Sequence, residues 1–519
     1  MAGGAYYLET FGCQMNVLDS QLVQGQLCAQ GWRMVANVRE ADLVLFNTCS
    51  VRQHAEDKVL SRLGQLRGQK RRRPEMIVGV IGCMAEREKE GLFQKAPQVD
   101  LLCGPGDLDR LPALIAEVQE RHERVTALAG SHSRRTEVLQ RALEADSLEA
   151  LDLSRAPGPE ENVLQSYIRV QRGCDKFCTY CVVPFTRGPE RSRPPAHIVE
   201  EARRLAERGC REVTLLGQTV NSYVHQEDGA PVRFAKLLER VHEVEGIDRI
   251  RFVTSFPADW DEDIFRVMRD YPRIMPYLHI PAQSGSDRVL KRMRRTYTVA
   301  EYLRLMDTAR RYLPDISLAG DFIVGFCGET EDDFAASVEL VRRVEYKNIF
   351  VFKYSPRPGT AADRNIDDDV PLETKQRRNN ELLAVQMEIS ARHKQALVGR
   401  SVEVLVEGYS KQARRAHAEM QESEQDRGAE VSTARRRQLV GRTPGDLIAV
   451  FDGAPEQIGA LVRVRVCSST GLTLFCELEQ VVSPARVVVT AAAPSASSDL
   501  EPAAMAERGR FRALPLLVQ

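Results

Sequence analysis

The sequence predicts a multidomain α/β protein, and three observations lead there. Strand-like and helix-like patterns alternate over two long stretches, 1–150 and 163–395. Beyond about 396 the pattern becomes β-rich. The chain's 519 residues also exceed what one core organises, since domains run to roughly 100–200 residues.

In the first stretch, AYYLETFG at 5–12 is strand-like and 20–31 has helical periodicity. ADLVLFNTC at 41–49 is a buried-strand run, 56–68 reads as helix, and MIVGVIGC at 76–83 is another apolar strand. This alternation predicts a parallel, Rossmann/flavodoxin-like sheet. Its strands run into Cys13, Cys49 and Cys83. Ligands of open α/β sheets gather outside the carboxyl ends of strands, so three cysteines distant in sequence could converge. The competing reading is three small, packed core thiols.

Residues 132–162 are polar and read as a linker. The second stretch carries six strand candidates: SYIRVQRGC, EVTLLGQ, IRFVTS, YLHIPAQ, SLAGDFIVGF and NIFVFKYSP. Helical segments such as 196–208 and 299–311 separate them. Repeated βα units predict a full or partial TIM-like barrel, with its site at the C-terminal strand ends. In the third region, VEVLVEG and ALVRVRVCSSTGLTLFCELE suggest a small β-barrel over 396–483. Its interruption at about 411–437 is a mixed-charge stretch, either a solvated helix or a disordered insertion. The tail, 484–519, is expected to be disordered.

Composition excludes several classes. Hydrophobic residues make up 43% and charged residues 28%, the balance of a soluble globular protein. No apolar run reaches the roughly 18 residues of a membrane span, so no membrane partner is expected. The first residues show no basic start before an apolar block, which leads to the expectation of a cytoplasmic protein. A net charge of −1 excludes a global basic field for nucleic acid, leaving that task to local patches. Twelve cysteines are too sparse for a disulfide scaffold, and clustered cysteines in a reducing cytosol bind metal or do chemistry.

One cluster is tight. RGCDKFCTYCVVP sets Cys174, Cys178 and Cys181 at C-x3-C-x2-C spacing. Three such thiolates can ligate three irons of a cubane and leave the fourth open. Structural zinc wants four closed ligands. No fourth Cys or His follows closely; the nearest downstream histidines are His197 and His225. Zinc and inert thiols remain the alternatives.

This motif, with Tyr180 before the last cysteine, resembles the radical S-adenosylmethionine (SAM) superfamily. The resemblance widens over about 5–480. TFGCQMNVLDS, FNTCSVRQHAEDKV and GCMAEREKE resemble the N-terminal domain of radical SAM methylthiotransferases. GCDKFCTYCVVPFTRGPERSRP, LLGQTVNSY, LHIPAQSGSDRVLKRM, DFIVGFCGETEDDF and YSPRPGT resemble their catalytic domain. The resemblance implies two 4Fe–4S clusters, one on Cys174, Cys178 and Cys181 and one on Cys13, Cys49 and Cys83. It implies that SAM binds the open iron and is cleaved reductively to a 5′-deoxyadenosyl radical. It also implies that the second cluster carries the sulfur, methylated by another SAM. GCQMN, NTCSVR and the VVPFTRGPERSRP block look most like the branch acting at C2 of N6-isopentenyladenosine, position 37 of tRNA. Sister branches act on threonylcarbamoyladenosine or a ribosomal protein aspartate. A reading from another class is a non-catalytic RNA-binding protein with structural metal. The implied partners are a tRNA anticodon stem-loop and an electron donor such as flavodoxin or ferredoxin, with the chain a monomer. The domains implied are 1–150 with the auxiliary cluster, 160–395 for radical SAM chemistry, and 396–483 resembling the RNA-binding TRAM barrel.

Other candidates lie on loops. Gly217 permits close backbone approach, and Gln218 and Asn221 offer hydrogen bonds to SAM; an ordinary βα turn is the alternative. Gln283, Ser284 and Asp321 are similar cofactor candidates. Arg187, Arg191 and Arg193 could meet the SAM carboxylate or an RNA phosphate, or line a solvated loop. Phosphate contacts are also open to Lys70–Arg73, Arg292–Arg295, Arg414, Arg415, Arg435, Arg436 and Arg437, although charge runs are usually solvated. Gly325 and Gly328 suit a tight turn. Cys327 stands near a strand end without an assigned role. Cys28, Cys103, Cys210, Cys467 and Cys476 read as packing residues.

Overall fold

The computed structural model describes residues 3–50, 53–128, 147–155, 164–415 and 437–486. Its first sheet comprises β1 (Ala5–Phe11), β2 (Arg33–Met34), β3 (Leu43–Thr48), β4 (Ile77–Ile81), β5 (Leu101–Cys103) and β6 (Val125–Ala127). All pairs are parallel, in the order β2-β1-β3-β4-β5-β6. Strands covered on both faces read as continuous apolar runs, and β3 and β4 are buried throughout. Leu43 and Leu45 pack with Leu22 and Leu27 of the helix Gln14–Ala29. The alternate residues Val44 and Phe46 pack with Val59 and Leu63 of the helix Gln53–Arg72.

The second system contains β7 (Gln165–Arg169), β8 (Gln171–Arg172), β9 (Arg191–Ser192), β10 (Glu212–Leu216), β11 (Val224–Glu227), β12 (Ala230–Arg233), β13 (Arg249–Val253), β14 (Tyr277–His279), β15 (Ser317–Val324) and β16 (Asn348–Lys353). β7, β10 and β13 form one parallel ladder, and β14, β15 and β16 another. A parallel bridge between Ile250 and Ile274 joins the two. Six parallel strands thus follow in chain order, a partial βα barrel, and they are the six expected from sequence. β8–β9 and β11–β12 are short antiparallel pairs beside it.

The third system is a closed barrel of β17 (Ser401–Tyr409), β18 (Arg437–Arg442), β19 (Ile448–Gly453), β20 (Leu461–Ser469) and β21 (Thr473–Ser483), ordered β17-β18-β19-β21-β20. Residues 411–415 are helical; the rest of the expected insertion through 436, with Arg435 and Arg436, and the tail from 487 lie outside the described residues.

The closed barrel docks on the N-terminal ends of the parallel strands. Arg211, just before β10, donates to the carbonyls of Gly459 (2.8 Å) and Pro484 (2.9 Å). Arg249 donates to Arg442 O at 2.7 Å and pairs with Glu403 at 3.0 Å. Arg251 donates to the Thr443 and Pro444 carbonyls, and Lys347 pairs with Asp446 at 2.8 Å. The first sheet docks at the opposite pole, where Met15 and Leu18 pack on Leu216 and against Val253.

One expectation needs correction. The linker read over 132–162 contains a helix, Ser147–Ser154, and its acids are buried. Asp152 pairs with Arg169 (2.6 Å) and Arg172 (2.5 Å). Glu149 pairs with Arg193 at 2.6 Å. Arg169 also holds Asp19 of the first domain at 2.8 Å. Polarity here marks a buried ionic seam rather than a solvated tether. Lys70 and Arg73 are likewise spoken for, by Asp100 and Asp42, both at 2.7 Å.

Candidate active site

Both cysteine trios lie at the pole opposite the closed barrel. Cys13 is the N-cap of the helix Gln14–Ala29. Cys49 follows β3, its N–H bonded to Phe11 O at 3.0 Å. Cys83 opens the helix Cys83–Glu88 after β4. A Cβ on Gly12 would stand 2.4 Å from the Cys49 Cβ, so the first two loops touch. The Cys49 thiol hydrogen-bonds Cys13, and with Arg187 nearby this brings the Cys13 thiol down to about 6 against the opposing effect of burial. Burial pushes the Cys83 thiol up, opposed by Arg187.

A buried asparagine pair ties these loops. Asn16 Nδ2 donates to Asn47 Oδ1 at 2.9 Å, and Asn47 Nδ2 donates to Asn16 O at 2.8 Å and Ser20 Oγ at 2.9 Å. Gly82, at φ +87°, leaves no room for a side chain: a Cβ would meet Asn47 Oδ1 at 2.4 Å.

The second trio sits on the loop after β8. Gly173, at φ +65°, abuts the Pro189 carbonyl, which a Cβ would meet at 2.0 Å. Cys174 N donates to Gly188 O, and Cys181 N to Cys178 O. Thr179 is anchored by bonds to the carbonyls of Arg292 and Met293. Burial raises the Cys174 thiol to about 11 and, aided by Cys178, the Cys181 thiol to about 12. A metal must therefore displace these protons on binding. All the cysteines named are free thiols.

The arginines behave differently from a solvated run. Arg193 is buried on Glu149 and Glu201, and Arg187 pairs with Asp19 at 2.8 Å beside Cys13 and Cys83. Arg295 points its Nη1 at Cys178 Sγ, 3.4 Å away, so it is no solvent-facing phosphate contact. Arg191 is exposed on β9.

The loop candidates also differ among themselves. Gly217 is buried against Gln171 and Val220, and Gln218 is half-buried. Asn221 spends its amide on the main chain of Phe256, donating at 2.8 Å and accepting at 2.7 Å; it clamps the β10 loop to the β13 loop. Ser284 sits in a turn, its buried hydroxyl bonded by Ser286 N at 3.2 Å and lying 3.5 Å from Ser337 Oγ. Gln283 adopts φ +70°. Asp321 lies 3.0 Å from His279 Nε2.

Comparison with known proteins now decides the family. Residues 5–104 match the model described as uncharacterized protein family UPF0004, and residues 168–341 match the radical SAM superfamily. A tRNA-2-methylthio-N(6)-dimethylallyladenosine synthase of Rhodopirellula baltica is 47% identical over 92% of this chain and 95% of its own length. One from Syntrophotalea carbinolica is 40% identical over 89% and 97%. The chain belongs to this family of radical SAM methylthiotransferases. Among solved structures, a radical SAM methyltransferase from Kitasatospora setae aligns at TM-score 0.47 and 13% identity, covering 70% of this chain and 77% of that one.

Membership in the radical SAM methylthiotransferases implies SAM and a 4Fe–4S cluster, and the residues present fit both. Among the described residues, no three His, Cys, Asp or Glu side chains already converge on one metal ion. A cubane asks for something wider, because each thiolate binds a different iron. Several buried polar atoms at the same strand ends have no protein partner among the described residues: Gln171 Nε2, Ser255 Oγ, His279 Nδ1 and Gln283 Oε1. Buried polar groups are ordinarily bonded, so these suit a polar ligand such as SAM.

Sequence reasoning missed the Asn16–Asn47 clamp and the inward turn of Arg295, although GCQMN, FNTC and RMRRTY contain them. It also missed His279, whose position ending an apolar strand was the available signal. Cys327 is packed among Phe326, Met293 and Tyr354, while Cys28 and Cys467 are exposed rather than packed.

Proposed function

We propose that this chain inserts sulfur and a methyl group at C2 of N6-isopentenyladenosine, position 37 of tRNA, giving the 2-methylthio nucleoside. The observation carrying this reading is the near full-length identity to synthases of that name, joined to two cysteine trios at one pole of the fold.

In this proposal Cys174, Cys178 and Cys181 hold the SAM-binding cluster, and Cys13, Cys49 and Cys83 hold a second. Bound there, the clusters and SAM supply reductive SAM cleavage and a transferable sulfur, chemistry no side chain provides. The chain's own residues position and enclose. Gly173 lets the first loop close on Pro189. Asn221 holds two strand-end loops together. Gly217, Gln218, Gln283 and Asp321 are available to SAM, and Arg191 to its carboxylate or to RNA phosphate. Asn16 and Asn47 hold the second set of loops in register. Arg187 brings positive charge to that set, as outer hydrogen-bonding partners do at metal sites.

The domain division at 1–150, 160–395 and 396–483 belongs to the same proposal. So do a TRAM-like role for the closed barrel in gripping the anticodon stem-loop, an electron donor such as flavodoxin or ferredoxin, a monomeric state and a cytoplasmic location. No helix among the described residues is long and apolar enough to cross a membrane. Nucleoside mass spectrometry of tRNA from a deletion strain tests the central reading. Loss of 2-methylthio-N6-isopentenyladenosine, restored by the wild-type gene and not by Cys174→Ala, is expected. An unchanged nucleoside in the deletion strain overturns it.

A further inference from the structure

Most guanidinium groups packed inside this molecule face a carboxylate. Arg169 meets Asp152, Arg187 meets Asp19, Arg193 meets Glu149, and Arg378 meets Glu329. Arg295 does not follow that pattern. Its Nε donates to Tyr297 Oη at 2.9 Å, its Nη2 to Pro281 O at 3.1 Å, and its Nη1 to Cys178 Sγ at 3.4 Å. The guanidinium also lies over the rings of Phe256, at 4.5 Å, and Tyr297, at 5.1 Å. None of these partners is a carboxylate, and the one that gives up its proton on binding iron is the Cys178 sulfur.

The surrounding chain is built to hold this arrangement. Arg294 takes a left-handed φ of +56°, and Arg295 N bonds back to Leu290 O at 2.8 Å. The chain reverses at the end of the helix Asp287–Arg292 and delivers Arg295 inward. Tyr297 is itself fixed by bonds to the carbonyls of Pro281 and Ala282. Enclosing a cation among rings and carbonyls is costly without a counter-charge. Three thiolates on an iron–sulfur core provide one.

We infer that Arg295 is a positioning residue that sets the reduction potential of the cluster held by Cys174, Cys178 and Cys181, by placing an un-neutralised guanidinium against the Cys178 sulfur. One-electron reduction, with the electron from an external low-potential donor and no proton transferred, makes the site one charge more negative. A fixed neighbouring cation and an N–H···S hydrogen bond both favour that reduced state, and net charge and hydrogen bonds to sulfur are what tune such potentials. At a partly buried pair such as this the effect is screened less than on the surface. Arg187 supplies the internal contrast: it also faces cysteines, but Asp19 shares its charge.

The inference rests on the cluster assignment and not on the identity of the RNA base. The test is a mediated reductive titration of the anaerobically reconstituted full-length chain without SAM, followed by electron paramagnetic resonance. The signal that changes when SAM is later added identifies the cluster concerned. Arg295→Gln is expected to make reduction about tenfold less favourable, a downward move of about 59 mV for one electron. Arg295→Lys keeps the charge and is expected to recover a large part of it. Arg295→Gln with wild-type iron content and an unmoved potential overturns the inference. If Arg295→Gln takes up no iron, Tyr297→Phe, which removes the Nε partner that aims the guanidinium at Cys178, is titrated in its place; a lowered potential supports the inference and an unmoved one overturns it. Failure of all three variants to load, beside a wild type that loads, assigns Arg295 to folding and also overturns it. A wild type that binds no iron sinks the cluster assignment instead.

Discussion

Asn47 illustrates how much one side chain organises here. Its amide bonds Asn16 and Ser20, and Gly82 packs directly on its oxygen, so a single buried amide touches the loops carrying all three N-terminal cysteines. Asn47→Ala takes the acceptor from the buried Asn16 Nδ2, at about 1–3 kcal/mol for such a group. The expected outcome is a loss of about 2 kcal/mol in denaturant unfolding, together with iron content reduced by half and SAM cleavage retained. Iron analysis showing full loading would contradict the role given to this pair.

Glu407 makes a different residue-scale case. It lies at the junction with the closed barrel, 3.1 Å from Gln165 Nε2, and burial raises its carboxyl to about 6 despite Arg442. A carboxyl raised in the folded state contributes stability below its unfolded pKa, and that contribution is lost as pH rises through about 6. Glu407→Gln is therefore expected to stabilise the protein above pH 6, by about 2 kcal/mol, and to make no difference below pH 4. Paired melting curves at pH 4 and pH 8 measure it. Equal effects at both values would exclude the titration.

At the scale of elements, the helix Ser147–Ser154 acts as an ionic strut. Asp152 and Glu149 face Arg169, Arg172 and Arg193, and Arg169 reaches on to Asp19. Removing one partner of a buried pair costs about 3–5 kcal/mol, because the other charge stays behind. Asp152→Ala is expected to lower stability by that order and to speed proteolysis between the first two domains. An unchanged cleavage rate would show that the strut does not hold them. This strut was illegible in the sequence. Its residues are polar, its neighbours in the chain are polar, and only tertiary partners 17 to 48 residues away make it a core element. The strands were legible because period and apolar runs are local properties. The C-x3-C-x2-C loop was legible because its spacing is local too. Convergence of Cys13, Cys49 and Cys83 needed the parallel sheet order as well as the motif. For Arg187, Arg193 and Arg295, charge suggested solvent, while position relative to Asp19, Glu149 and Cys178 decided otherwise.

At the scale of the whole molecule, the two ends of the parallel strands are occupied by different machinery. Arg211, Arg249 and Arg251 commit buried guanidinium groups to the closed barrel's carbonyls and to Glu403. A chain ending at 395 uncovers these groups. Such a truncation is expected to lower the unfolding midpoint of the remaining domains as well as to weaken tRNA binding, measured by melting and by filter binding. A truncated chain as stable as the full one would show that the barrel is an independent appendage. The parallel strands between the poles are about five residues long, about 17 Å at the usual rise per residue. If the barrel grips RNA, it does so on the far side of that span from the cysteines. The enzyme would then work as a caliper with its jaws at opposite poles, and a hairpin too short to reach both would gain nothing from the barrel's presence.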